Sequence, residues 1–119
     1  MEVAQFGINL TSEQPEKLMA FYRDVVGLPK RPEMGDGAFA LGAATLFVDG
    51  HSETKGSAKE PQRYLLDMFV ADLKAEQARL EGQGVKFIRK EGQEPWGGLI
   101  STFLDPDGNY VQILSMPAP

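Results

Sequence analysis

The sequence predicts an α+β fold built from two tandem βαβββ modules, and the main evidence is an internal repeat. One strand, one helix and then three strands are expected twice within the 119 residues. The helices of the two halves end at equivalent glycines, Gly27 and Gly84. Because each half alone has too few strands for a stable core, we expect a single domain over residues 1–119. Its predicted parts are module one at about 1–50, a polar connection at about 51–60 and module two at about 61–116.

Module one opens with an alternating segment from Val3 to Thr11, which is the pattern of a half-buried strand. Ser12 is a candidate helix cap and Pro15 suits the first helical turn. Apolar residues then follow at helical spacing up to Gly27, where the helix is expected to end. The two short strands predicted after this helix are Ala38–Leu41 and Thr45–Asp49.

Module two repeats this order. An alternating strand is predicted at Arg63–Val70, and Asp72 is placed to cap the helix that ends near Gly84. The later strands are expected at Val85–Arg89, Leu99–Leu104 and Tyr110–Ser115, the last two joined by a turn at 105–109. The alternating and helical patterns together predict a core of Phe6, Ile8, Leu10, Phe21, Met68, Val70, Val111 and Ile113.

The composition excludes several classes of function. The chain has no cysteine, which rules out disulfides, thiolate catalysis and cysteine-based zinc sites. The net charge of −5, without any run of Lys and Arg, makes nucleic acid an unexpected partner. No segment has the pattern of a signal peptide and no apolar run could span a bilayer, so we expect a cytoplasmic protein without a membrane partner.

Four strings along the chain resemble one known superfamily when taken together and in order. They are Phe21–Leu28 at the end of the first helix, Phe69–Leu73 with Gly84–Phe87 around the second helix, Pro95–Gly97, and Phe103–Asn109 in the final hairpin. They are similar to the vicinal oxygen chelate superfamily, which includes glyoxalase I, bleomycin-resistance proteins and extradiol dioxygenases. The resemblance implies that the modules form a curved mixed sheet, with helices on its outer face and a ligand site enclosed by the cup.

The resemblance also implies where metal-dependent members of the superfamily hold their ligands. These positions fall on Gly7 (or Phe6, one residue away), Leu65 and Gln112, and the stretch Thr45–Val48 has no acid. Glycine and leucine have no donor atom in the side chain, and an amide is a poor ligand for the ions involved. We therefore expect neither a bound metal nor another cofactor.

Polar side chains on the inward face of module two are the first candidates for ligand binding. Gln112 and Tyr110 share one face of the last strand, and Gln112 either hydrogen-bonds a ligand or is a solvated strand residue. Asp67 lies on the equivalent face of an earlier strand. It could bind a cation or act as a base, or it could be an exposed residue or a partner of Arg63.

Three further candidates lie elsewhere. Trp96, in a glycine-flanked loop, either walls a binding groove or packs on the sheet. Asn9 on the first strand is a possible ligand contact, although a structural amide explains it as well. His51 is the only histidine, and it is either an acid–base group or a surface residue of the connection.

Three functions remain open at this point. The leading hypothesis is a metal-free protein that sequesters a small aromatic or amphipathic molecule. The alternative is a glyoxalase-like lyase or isomerase whose metal or base comes from non-standard positions. The third is a dimerisation module that binds no ligand. By the resemblance we also expect a homodimer, whose modules pair within one chain or swap between chains.

Overall fold

The computed structural model describes residues 1–117, so the last two residues of the predicted domain, 118 and 119, lie outside it. The chain divides into two compact units, the first spanning Met1–Gly56 and the second beginning at Ser57. Each unit combines one mixed sheet with one α-helix, so the predicted α+β fold is confirmed. None of the helices in this described part is both long enough and apolar enough to cross a membrane.

Unit one contains a three-stranded sheet in the order β1-β3-β2. Strand β1 runs parallel to β3, and β2 runs antiparallel to it. The elements are β1 at Gly7–Ser12, α1 at Pro15–Ala20, a π-helical segment at Phe21–Val26, a 3-10 turn at Pro32–Met34, β2 at Ala38–Leu41 and β3 at Ala44–Gly50.

Unit two contains a four-stranded sheet in the order β4-β7-β6-β5. Its first strand again runs parallel to its last strand, and the remaining pairs are antiparallel. The elements are a 3-10 turn at Pro61–Arg63, β4 at Leu66–Phe69, α2 at Leu73–Gly82, β5 at Phe87–Gln93, β6 at Leu99–Leu104 and β7 at Tyr110–Ser115.

The two units therefore have the same topology, and the prediction of two βαβββ modules is confirmed, with one difference in unit one. The strand expected between the helix and β2 is reduced to a single bridge between Lys30 and Phe39. Pro29 and Pro32 flank this bridge. Proline has no backbone N–H to donate to a strand ladder, which explains why pairing does not extend further.

The helix ends follow the local sequence, with one correction. Asp72 accepts a hydrogen bond from the backbone N–H of Ala75 at 3.0 Å and caps α2 as predicted. Ser12 does not cap α1, because its Oγ accepts the N–H of Gln14 at 3.0 Å before the helix begins at Pro15. The helical region of unit one ends at Gly27, whose φ of 82° is in the left-handed region that glycine tolerates.

The core prediction is only partly correct. Val111 and Ile113 are buried, whereas Phe6 is 62% exposed. The β1–β3 ladder starts at Gly7 and Thr45, and Phe6 reaches β3 only through its carbonyl, which accepts the N–H of Thr45 at 3.1 Å, so its side chain lies beyond the paired strands. The apolar core of unit one is Leu18, Tyr22, Ala38, Phe39, Leu46 and Val48, and that of unit two is Leu66, Leu73, Leu80, Phe103, Val111, Ile113 and Leu114.

Two strands of unit two are also placed differently from the prediction. Strand β4 is shorter than Arg63–Val70, because the chain up to Arg63 forms a 3-10 turn. Strand β5 covers Phe87–Gln93 instead of Val85–Arg89, and its pairing with β6 has two register shifts. Glu91 lies within the second shift, between Arg89 and Gly92, with a φ of 28°, a local distortion that single-residue patterns do not reveal.

Candidate functional site

The sheet of unit two has one face covered by α2 and one face directed away from it. Ser101 on β6 donates a hydrogen bond to the buried Gln77 of α2, which identifies the covered face. Because side chains alternate along a strand, Thr102 and Ile100 point to the opposite face. We call this the open face, and the strand register assigns to it Asp67, Phe69, Ile100, Thr102, Leu104, Tyr110, Gln112 and Leu114.

A row of polar residues crosses the open face perpendicular to the strands. Asp67 on β4 is the direct neighbour of Gln112 on β7, and Gln112 is the direct neighbour of Thr102 on β6. The side-chain amide nitrogen of Gln112 donates to the Thr102 hydroxyl at 3.0 Å. A parallel row of apolar residues lies next to it, in which Phe69 is exposed, Ile100 is half-buried and Leu114 is buried. This arrangement provides directional polar contacts beside an apolar surface.

Asp67 is the charged member of the row. Among the described residues it has neither a hydrogen-bond nor an ion-pair partner. Its side chain is exposed, and partial desolvation by its surroundings raises the pKa of its carboxyl group above the ordinary value. Its neighbours along the chain on this face are apolar and exposed, Leu65 at 42% and Phe69 at 62%. The suggested pairing with Arg63 is wrong, because Arg63 bonds to Glu60 at 2.9 Å. Asp67 is therefore an acceptor that remains available to a ligand.

Gln112 differs from Asp67, because its side-chain amide already forms a hydrogen bond within the protein. One N–H of its Nε2 is donated to Thr102, which leaves the second N–H as a donor and the carbonyl oxygen Oε1 as an acceptor on the other side of the amide. Tyr110, two residues earlier on β7, is half-buried on the same face. The three predicted residues Asp67, Tyr110 and Gln112 are thus brought together on one surface.

Trp96 lies in the turn that leads into β6 and is 46% exposed. Its ring occupies the space that a side chain at Gly98 would need, so the indole is seated against the backbone there. Gly98 precedes Thr102 by four residues, which is about 13 Å along an extended strand. The distance between Trp96 and Gln112 along the strand direction is therefore about the length of a small organic molecule.

The candidates of unit one are mostly satisfied by protein partners. Asn9 donates to the Asp49 carboxylate at 3.1 Å, which favours the structural-amide interpretation. His51 is exposed, and its Nδ1 accepts the backbone N–H of Glu53 at 3.1 Å. Neither residue is joined by a cluster of three or more His, Asp or Glu side chains within the described chain.

The residues at the expected metal-ligand positions do not fit a metal ion. A Cβ at Gly7 would lie 2.9 Å from the ring of Phe47, so the ring lies over this position. Phe47 pairs with Asn9 in unit one as Gln112 pairs with Asp67 in unit two, so an aromatic ring stands at the position equivalent to Gln112. Leu65 adds no donor and Gln112 a single amide oxygen, which is too few oxygen ligands for the ions concerned.

Sequence reasoning missed two members of the polar row. Thr102 could have been found, because the hairpin turn at 105–109 fixes its register opposite Gln112. Arg89 continues the row on β5, opposite Thr102, but only because of the register shifts in that strand. Its guanidinium forms an ion pair with Glu94.

Comparison with known proteins supports the fold and the family. The family model of the Glyoxalase/Bleomycin resistance protein/Dioxygenase superfamily matches residues 5–113. No curated protein matches the sequence.

Several solved structures have the same fold at low sequence identity. A glyoxalase/bleomycin resistance protein/dioxygenase family enzyme from Burkholderia phytofirmans PsJN is 17% identical with a TM-score of 0.74, covering 92% of this chain and 96% of that one. A superfamily member from Sphaerobacter thermophilus DSM 20745 is 15% identical with a TM-score of 0.74, covering 96% and 98%. A protein from the mobile metagenome of V. Pseudocholerae is 21% identical with a TM-score of 0.74, covering 99% and 98%. The match of the family model over most of the chain shows that this protein belongs to the Glyoxalase/Bleomycin resistance protein/Dioxygenase superfamily.

Proposed function

We propose that this protein binds a small aromatic or amphipathic molecule on the open face of unit two, without a metal, and sequesters it unchanged. The observation that carries the proposal is the polar row of Asp67, Gln112 and Thr102 beside the apolar row of Phe69, Leu114 and Ile100. Small-molecule sites combine a mainly apolar lining with a few well-placed polar groups, and these two rows provide that combination.

Trp96 and Gln112 supply the two ends of the proposed site. The half-exposed indole offers a flat apolar surface next to the start of β6, and the amide offers a directional acceptor in the middle of β7. The apolar row between them matches a ligand with one hydrophobic body and one polar end. Tyr110 would border the ligand on the far side of Gln112.

The test is a thermal-shift screen of the full chain against a library of metabolites and antibiotics. A ligand that binds only the native state at about 100 times its dissociation constant stabilises the protein by about 2.7 kcal/mol, which gives a clear rise in melting temperature. Each hit is then titrated by Trp96 fluorescence. We expect at least one hit that alters Trp96 emission. If no compound moves the melting temperature, the sequestering function is wrong and the module without a ligand becomes the better explanation.

A second candidate function, a glyoxalase-like lyase or isomerase, is favoured by one observation. Within the described part of the chain Asp67 is a carboxylate without a partner between two exposed apolar residues, and the partial desolvation that raises its pKa also makes it a stronger base. Mass spectrometry of each hit after incubation separates the two functions. A ligand recovered unchanged supports sequestration. A ligand converted by the wild type and left intact by Asp67→Asn shows that Asp67 is a catalytic base.

We further propose that the two units form one domain, that the protein is a homodimer, as the superfamily membership suggests, and that it is cytoplasmic, as the sequence pattern suggests. Light scattering at tens of micromolar, a range in which weak dimers populate, tests the assembly. A dimer mass supports the proposal, and a monomer mass under these conditions contradicts it.

A further inference from the structure

The ligand proposed above faces two adjacent acceptors, the carboxylate of Asp67 and the side-chain oxygen of Gln112. Asp67 and Gln112 are direct neighbours across the parallel pair β4 and β7. Because Nε2 of Gln112 donates to Thr102, its Oε1 lies on the side of the amide away from Thr102. The carboxylate of Asp67 can only accept when ionised, so the two groups offer acceptors to whatever lies between them.

We infer that the bound molecule carries a cationic N–H group, an ammonium or amidinium, that donates to Asp67 and to Oε1 of Gln112. This inference rests on the proposed function and specifies the class of ligand. Such a group has several donors on one positive centre, so it can satisfy both acceptors at once, and hydrogen bonds that involve charged groups are about twice as strong as neutral ones.

The charges around this pair favour a cation over an anion. Arg89 is the only basic residue in the polar row among the described residues, and it lies on β5, two strands away from Gln112. Its charge is already paired with Glu94. The whole chain carries a net charge of −5, which adds a weak attraction for cations and a repulsion for anions.

An aromatic ring stands beside the pair on the same strand. Phe69 follows Asp67 by two residues, faces the same side and is 62% exposed. A cation held by the Asp67 carboxylate therefore lies within reach of the face of this ring, which would add a cation–π contribution. The apolar body of the ligand would then extend over the row of Phe69, Leu114 and Ile100.

Two probes of the same shape test the inference. Benzamidine carries a planar cation on a phenyl ring, and benzamide replaces this cation with a neutral amide. Both are titrated against the full chain by protein-observed chemical-shift changes, which detect weak binding without depending on Trp96. We expect benzamidine to bind wild type about ten times more tightly than benzamide, and Asp67→Asn to reduce benzamidine affinity about tenfold. Asp67→Asn should leave benzamide affinity within about twofold.

Asp36→Asn is the matched control, because it removes the same charge from an exposed turn of unit one. It should leave the affinity of both probes unchanged, whereas a loss equal to that of Asp67→Asn would mean that only net charge matters and would overturn the inference. Equal binding of the two probes to wild type would also overturn it, while leaving the proposed small-molecule site intact. Failure of every library compound and of both probes would instead remove the proposed function itself.

Discussion

The faces of the two sheets that point away from the helices have the same topology and opposite chemistry. In unit one the polar groups of this face are paired within the protein: Asn9 with Asp49 at 3.1 Å, and Thr11 with Thr54 at 2.7 Å. In unit two the equivalent of Asn9 is Asp67, which has no partner in the described chain. The repeat has therefore preserved the backbone while leaving only one of its two faces with an unsatisfied charged group.

The residues that pair with Asn9 and Asp67 on the neighbouring strand, Phe47 and Gln112, also differ in polarity. Phe47 places an aromatic ring over Gly7 in unit one, whereas Gln112 places an amide beside Thr102 in unit two. An aromatic side chain excludes water and metal ligands from its surroundings, and an amide recruits polar groups. The comparison indicates that packing closes this face in unit one, whereas the same face of unit two keeps polar groups within reach of solvent.

The largest expected effect is on the free energy of unfolding, and it concerns the packing of the Trp96 ring against the backbone at Gly98. In Gly98→Ala the new Cβ would overlap the Trp96 ring and lie 2.5 Å from the backbone oxygen of Ser115. The backbone cannot move without disturbing β6 and β7, so the ring must leave. We expect a loss of about 3 kcal/mol in the free energy of unfolding, the upper range for overpacking. Urea unfolding measures the loss, and Trp96 emission reports the displaced ring.

Gly82→Ala is the control for this substitution. Gly82 is the last residue of α2, and nothing lies within 4 Å of a Cβ built there. Alanine is the better helix former, so this variant should be unchanged or more stable by up to about 1 kcal/mol. If Gly98→Ala were as stable as Gly82→Ala, with wild-type emission, Trp96 would not be seated against Gly98.

The next effect is on ligand binding. With a ligand obtained from the screen, Trp96→Ala should weaken binding by about 2 kcal/mol, the scale of losing one buried aromatic contact. Gln112→Leu should weaken it by about 1 kcal/mol, the value of one neutral hydrogen bond. Calorimetric titration measures both losses. Normal binding by both variants would place the ligand elsewhere, and Asn9 and His51 in unit one would become the next candidates.

Much of the fold could be predicted because the signals are local. Strong turn residues at 105–109 give the bounds of β6 and β7 correctly, and Asp72 caps α2 as its sequence position suggests. Phe6 was misplaced because alternation indicates a strand only when a neighbouring strand exists. The register shifts of β5 depend on pairing with β6, which no local pattern contains.

The candidate site could be predicted only in part for the same reason. Asp67, Tyr110 and Gln112 share a face because of strand alternation, which the sequence displays. The missing partner of Asp67 could not be predicted, because it depends on Arg63 bonding to Glu60 in a turn that the alternating pattern conceals. A group left unsatisfied is a property of the packed structure and not of a single segment.

The packing of the Phe47 ring against Gly7 in unit one can be tested by substituting each of the two residues. In Gly7→Ala the new methyl group would lie 2.9 Å from the Phe47 ring, which has to shift. We expect a loss of about 1 kcal/mol, the lower range for overpacking, because the contact is with the end of a side chain.

Phe47→Leu removes the atoms that the methyl group would meet. In that background Gly7→Ala should be neutral, or stabilising by up to about 1 kcal/mol, because alanine reduces the freedom of the unfolded chain. Urea unfolding of the two single variants and the double variant gives the coupling energy. Strictly additive effects would show that Phe47 does not close the position at Gly7.

The smallest expected effect is on the pH dependence of stability, and it addresses the open charge of unit two directly. Partial desolvation raises the pKa of Asp67 in the folded protein. The folded state therefore holds this proton more strongly than the unfolded chain does, so the ionised carboxylate opposes folding. This cost is absent below the ordinary pKa, develops as the pH rises through the raised pKa, and remains constant above it.

Asp67→Asn keeps the shape of the side chain and removes the charge, so it should melt slightly higher than wild type near about pH 7. The difference should vanish near about pH 3, where the carboxyl of the wild type is protonated in both states. Asp36→Asn, which lies in an exposed turn, should match wild type at both pH values. Melting curves followed by circular dichroism provide the comparison.

A variant that is more stable at neutral pH and yet binds a cationic ligand less well would show that Asp67 is retained at a cost to the fold, as expected for a binding residue. If Asp67→Asn instead melted lower than wild type near about pH 7, its carboxylate would be stabilising the sheet, and the contrast between the two modules would be one of structure alone.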